Sequence, residues 1–267
     1  MTALHYGRAF AGIAEREFLR FFQQKERFFA ALVRPLVWLL IFATGLRAAL
    51  GASSLPPYVT DITYEVYIVP GLMAMVQLFN GMQSSLSMVY DREMGSMKVL
   101  LTTPLPRAFL LFARLLAGVI VSLLQVYAFL IIARLIGIDV PWSGLLTVLL
   151  PLVLTGLMLG ALGMLLASTI KQLENFAGVM NFVIFPMFFA SSALYPLAKV
   201  QESSLFLYWL CRLNPLSHAV DLIRFALYGQ FNVMAFVIVC GALACFLGTA
   251  VVAYDPARGL QSRKDSP

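Results

Sequence analysis

His5 and His218 are the only histidines in the chain, and Asp221 follows His218 by about one helical turn. A His–Asp pair at that spacing can share a proton. Acid–base catalysis also needs a nucleophile or a second acid brought to the same place. None stands beside this pair, and Arg224 extends it into a polar stripe, so it reads as a structural face. Cys211, Cys240 and Cys245 form no CxxC pair, so neither a zinc site nor a disulfide framework is signalled. They read as small buried hydrophobes. Gly95-Ser96-Met97-Lys98 holds glycine and lysine too close together for a phosphate-cradling loop, and no GxxxxGK[ST] run occurs elsewhere. The chain's own residues therefore supply neither bond chemistry nor ATP hydrolysis.

The densest charged stretch between apolar runs covers residues 90–107. Asp91, Arg92 and Glu93 extend the preceding helix, and Gly95 allows a sharp bend. Met97, Val99, Leu100 and Leu101 form a short apolar helical element. Thr102, Thr103 and Pro104 end it, and Pro106 resets the chain. An exposed short helix of this kind is a docking element for a protein partner. A tight solvated turn is the other reading, and the residues alone leave both open.

These residues hang on a framework that is 61% hydrophobic and 12% charged. Soluble domains carry about 25% charged residues. A bilayer core of ~30 Å takes about 20 helical residues to cross. Six runs meet that demand: 30–50, 66–89, 108–137, 144–168, 176–194 and 231–254. They predict an all-α polytopic membrane protein with six transmembrane helices. Arg34 and Arg47 lie near the ends of the first run and must snorkel if it spans. Residues 3–28 place Phe10, Ile13, Ala14, Phe18 and Phe21 near helical spacing, with Arg16, Glu17 and Arg20 between, as in an interfacial helix. Residues 205–211 are apolar but too short to cross. Asn214-Pro215 then opens a second short helix, so residues 196–230 read as re-entrant helices at the outer leaflet. Pro151 and Pro186 mark bends. Gly156, Gly160 and Gly163 offer a close helix approach.

The net charge of +6 is topological, with no basic patch interleaved with aromatics for nucleic acid. With both termini in the cytoplasm, fourteen of the 19 Lys and Arg fall inside. Polar and aromatic residues in the second and fifth runs suggest a substrate path of Met73, Phe79, Asn80, Gln83, Asn181, Phe182, Phe185 and Phe189. Asn80 and Asn181 are equally readable as hydrogen-bonding glue between helices. An ion-coupled secondary transporter is the alternative. It usually places an acid at mid-membrane, and no Asp or Glu lies in the middle of any run.

The Arg34-Pro35 entry to the first run, the loop Asp91-Arg92-Glu93-Met94-Gly95 with Leu100-Leu101-Thr102-Thr103-Pro104, and Asn214-Pro215-Leu216-Ser217 with Asp221-Leu222-Ile223-Arg224 together resemble the membrane subunit of ABC type-2 transporters. These are bacterial export permeases related to those for antibiotics, nodulation factors and cell-surface polysaccharides. The resemblance implies an export permease of the bacterial cytoplasmic (inner) membrane, and the phenylalanine-rich, polar-spotted path suits an amphipathic or lipid-like substrate better than a small ion. It implies no cofactor on this chain, with ATP and Mg held by a separate ATP-binding-cassette ATPase subunit. It also implies a second permease copy, forming a homodimer, and membrane lipid around both. The matching coupling positions are Asp91, Arg92, Glu93, Gly95, Lys98, Leu101 and Pro104. The outer re-entrant motif is Asn214, Pro215, Asp221 and Arg224.

Overall fold

The structure is a computed structural model that describes residues 3–23, 25–42, 45, 57–58, 62–94, 105–170 and 172–253. Among them every regular element is helical: α1 (Ala3–Gln23), α2 (Lys25–Val37), α3 (Tyr64–Glu93), α4 (Arg107–Leu135), α5 (Gly144–Thr147), α6 (Leu149–Thr169), α7 (Leu173–Phe189), α8 (Leu197–Ser203), α9 (Leu205–Leu213), α10 (Pro215–Leu227) and α11 (Val233–Ala253). A π-helical turn, Trp38–Phe42, continues α2.

Among the described residues, three stretches are long and apolar enough to cross a membrane: Ala108–Leu135, Gly144–Thr169 and Val233–Ala253. Ala31–Ile41 and Leu173–Phe189 are shorter apolar helices. α3 has 30 residues, but Gln77, Asn80, Gln83 and Ser84 dilute its apolar character.

α3 is the hub of the bundle. Its side chains are buried without interruption from Tyr67 to Asn80. A helix covered on every side has no solvated stripe, and α3 packs against α2, α4, α6, α7 and α10. Its closest crossing is with α6. A Cβ on Gly81 would sit 2.9 Å from the Gly160 backbone nitrogen, and one on Gly163 would sit 2.8 Å from the Gly81 carbonyl oxygen. Of the three glycines expected to permit close approach, Gly160 and Gly163 thus lie against the α3 backbone at Gly81, while Gly156 faces the Gln77 and Val119 side chains.

Hydrogen bonds complete that crossing. Gln77 Nε2 donates to the Leu152 carbonyl at 2.6 Å, and Thr155 Oγ1 donates to Gln77 Oε1 at 2.6 Å. Asn80 Nδ2 donates to Gln125 Oε1 on α4. Buried amides are tolerated in an apolar bundle when their polar atoms find partners in this way.

Several boundaries differ from the sequence-based expectation. The run at 144–168 is two helices parted at Val148, which places Pro151 in the first turn of α6. A missing N–H costs little there, so Pro151 sits beside a break and bends no helix interior. The run at 176–194 is helical only to Phe189, because residues 190–195 form a turn whose polar groups bond to α10 and α3. The segment 196–230 holds three short helices; the charged α8 carried no apolar signal. The helix expected over 3–28 ends at Gln23, and α2 begins at Lys25. The first run is helical through Phe42; its remainder lies outside the described residues apart from Gly45.

Candidate functional site

The last turn of α3 carries Asp91, Arg92 and Glu93, and each is fastened to a different neighbour. Asp91 is buried and its Oδ2 accepts from Arg114 Nη2 of α4 at 2.6 Å. The same oxygen meets Arg16 of α1 at 3.4 Å. Arg114 also reaches Ser87 Oγ at 3.0 Å and lies 3.7 Å from Glu17 of α1. Arg92 Nη1 donates to the Ile170 carbonyl just past α6, at 3.3 Å. Glu93 Oε1 accepts from the Leu173 backbone N–H at 2.8 Å. That N–H is one of the donors a helix start leaves unsatisfied, and the carboxylate also complements the positive end of α7. One helix end thereby grips α1, α4, the α6 terminus and α7. Of the predicted coupling residues, Asp91, Arg92 and Glu93 are brought together in this cluster. Gly95, Lys98, Leu101 and Pro104 lie outside the described residues.

At the opposite end of α3, Arg224 of α10 is buried. Its Nη1 donates to Asp221 Oδ1 at 2.7 Å and its Nη2 to the Ser192 carbonyl at 2.8 Å. Its guanidinium carbon sits 4.3 Å from the Tyr67 ring centroid. Tyr67 Oη donates to that same Ser192 carbonyl at 3.0 Å, and Tyr64 Oη to the Leu194 carbonyl at 2.7 Å. Ser192 Oγ donates to Asp221 Oδ1 at 3.1 Å. Tyr58 stacks edge-on against Tyr228, with ring centroids 4.8 Å apart. Burial pushes both phenols above their ordinary pKa, opposed in part by Arg224. His218 turns away from Asp221, and its Nε2 meets the Arg212 carbonyl at 2.8 Å. His218 and Asp221 thus each bond to other partners.

Asn214 and Pro215 form a joint. Asn214 Oδ1 accepts from the Leu216 N–H at 2.9 Å and caps α10, with Pro215 at the first helical position. Its Nδ2 donates to the Met187 and Ala190 carbonyls, both at 2.6 Å, closing the end of α7.

The eight residues proposed from sequence as a substrate path divide into two groups. Met73 is fully buried inside the bundle, and Asn80 is spent on Gln125. Phe79 lies beneath the Arg34 guanidinium, 3.7 Å from its ring centroid, and Gln83 borders the same narrow cleft. Asn181, Phe182, Phe185 and Phe189 are exposed on the outer side of α7. Phe185 and Phe189 stack on each other, and Trp38 packs against Phe189. The structure thus joins α2, its π turn and α7 into one aromatic face, with Phe79 at its edge.

Sequence reasoning missed Arg114 as the partner of Asp91. The signal was present, since residues 66–137 contain only two acids, Asp91 and Glu93, to neutralise a cation embedded in an apolar run. It also missed Tyr58, Tyr64, Tyr67 and Ser192, whose roles depend on a turn between two helices and leave no periodic trace.

Long apolar helices crossing backbone to backbone, with amides buried between them, are the build of a membrane-embedded protein. Residues 8–228 match the family model described as ABC-2 type transporter, and the chain belongs to that family. It is similar to the "Putative transport permease ycf38" of Porphyra purpurea, 27% identical over 80% of this chain and 72% of that protein. It is similar to "Nodulation protein J" of Rhizobium leguminosarum bv. viciae, 25% identical over 74% of each chain. It also matches the "Probable multidrug ABC transporter permease YbhR" of Escherichia coli (strain K12), 30% identical over 62% of this chain and 45% of that protein.

Proposed function

We propose that this chain is the membrane subunit of an ATP-driven exporter that carries an amphipathic or lipid-like molecule out across a bacterial inner membrane. A separate ATP-binding-cassette ATPase supplies the energy, holding ATP and Mg. Two copies of the chain pair around one path. In this reading α2 with its π turn, α3, α4, α5 with α6, α7, and α11 make six crossings. Helices α8 to α10 form the outer re-entrant segment, and α1 lies along the inner surface. Both termini and the Glu93 end of α3 face the cytoplasm, where residues 90–107 receive the ATPase. Family membership favours this reading over an ion-coupled carrier.

The observation that carries the mechanism is the divided attachment of Asp91, Arg92 and Glu93. A push on the loop that follows them moves α3 and, through three polar links, α1, α4 and α7 together. Nucleotide binding must favour one access state by about 5.5 kcal/mol to drive a near-complete switch, and a loosely attached loop would dissipate that difference. The aromatic face of α2 and α7 is the surface offered to cargo and to the second copy.

The test is reconstitution with an ATP-binding-cassette ATPase that co-purifies with the chain. Glu93→Lys removes the carboxylate from the Leu173 N–H and sets a cation against the positive end of α7. Expression and membrane insertion are expected to persist while transport falls at least tenfold. Full transport in that variant overturns the coupling role. Transport by the purified chain with no nucleotide-hydrolysing partner overturns the whole reading.

A further inference from the structure

Arg34 differs from the other arginines that are buried or half-buried with described side chains. Arg92 and Arg134 each donate to a backbone carbonyl, and Arg114 and Arg224 each meet a carboxylate. Arg34 has no oxygen acceptor among the described residues; its contact is the Phe79 ring. Phe79 sits midway along α3, roughly 20 Å from either end at 1.5 Å per residue. If α3 crosses the bilayer, as the proposed function requires, Arg34 holds a positive charge at mid-depth with no counter-charge among the described residues. That placement is costly, and an ionisable residue kept there marks a binding function.

The geometry also defines what would bind. The Arg34 guanidinium carbon lies 3.7 Å from the Phe79 ring centroid, a cation–π contact that uses none of its N–H donors. Those donors form a rigid fork matched to two oxygens of one oxyanion. One turn further along, Trp38 packs on Phe188 and Phe189, with ring centroids 5.6 and 5.7 Å away. Phe185 and the exposed Phe182 continue the apolar strip. A cation thus sits at one end of an aromatic track. The cleft beside Arg34, bordered by Met75, Val76 and Gln83, holds about 10 Å³, room for roughly one water. The cleft itself is too small for a headgroup; Arg34 is half-buried, and its exposed part is what an oxyanion would meet.

We propose that Arg34 recognises the head of the cargo, and that the cargo is an amphiphile with an oxyanion headgroup, a phosphate, sulfate or carboxylate, whose apolar part lies along Trp38, Phe189, Phe185 and Phe182. The proposal rests on the transport path described above and assigns its chemical class.

The test uses the full chain in nanodiscs of phosphatidylcholine, with Trp142→Phe and Trp209→Phe so that Trp38 alone fluoresces. Three bromine-tipped twelve-carbon probes are titrated, bearing a phosphate, a neutral maltoside or a trimethylammonium head. The phosphate probe is expected to quench Trp38 at a concentration at least tenfold lower than the maltoside probe. Arg34→Gln is expected to abolish that preference. Arg34→Lys, which keeps the charge but loses the fork, is expected to retain part of it and serves if the glutamine variant does not fold. Equal quenching by all three probes, unchanged in either variant, leaves the path intact and overturns the oxyanion assignment. Quenching by none of the probes overturns the path and the assignment with it.

Discussion

Asp91 and Arg114 form a buried ion pair, with side chains 4% and 7% exposed. Removing one partner from such a pair strands the other charge at a cost of about 3–5 kcal/mol. Asp91→Ala is therefore expected to lower the melting temperature of the detergent-purified protein markedly. Arg114→Ala in the same chain should recover part of the loss, because it removes the stranded cation. A double-mutant cycle read by thermal denaturation checks this. Tyr58 and Tyr228 give a prediction of opposite chemistry. Burial raises both phenols, so the folded state holds protons that the unfolded chain releases above about pH 10. Their contribution is complete below that pH and declines as pH rises toward the folded values. Melting temperatures between pH 8 and 11 should fall less steeply in Tyr58→Phe than in the parent.

The helices were largely legible because an apolar run of about 20 residues leaves the chain few other structures in lipid. Their ends were not, because ends are set by contacts distant in sequence. α7 stops at Phe189 because Asn214, a quarter of a hundred residues later, takes the Met187 and Ala190 carbonyls. Asn80 was equally readable as cargo contact or as glue, and its hydrogen bond to Gln125 of α4 is a contact that no spacing announced. The α3–α6 crossing was half legible: Gly160 and Gly163 announced a close approach but not its partner. Gly163→Leu should force α3 and α6 apart and remove the monodisperse peak on size-exclusion chromatography. The same change at Gly241, whose Cβ would meet nothing within 4 Å, should leave that peak intact. Equal behaviour of the two variants would remove the crossing from its central place in the fold.

Taken together, the helices form a dense centre of α3, α4 and α6, with α11 packed along α6. The centre is held by backbone-close packing and by buried amide hydrogen bonds from Gln77 and Asn80, and it suits a part that keeps its shape. The aromatic face of α2 and α7 has large exposed side chains, among them Phe29, Ile41 and Phe182. An apolar surface of that kind requires lipid, cargo or another subunit against it. Phe182→Ala combined with Phe185→Ala should reduce transport of an amphipathic cargo severalfold while leaving the melting temperature within a few degrees, since neither ring is buried within this chain. A collapse in stability instead would move those rings from transport to folding.

One feature of α7 bears on how such a face moves. Glu93 holds its first backbone N–H, and Asn214 holds the carbonyls at its other extremity. A rod clasped at both tips resists sliding along its length, because sliding would break the fastenings together. Turning about its own axis strains them far less. The softest motion left to α7 is thus that of a spindle, and a few tens of degrees of roll would sweep Phe182 and Phe185 sideways across whatever lies against them.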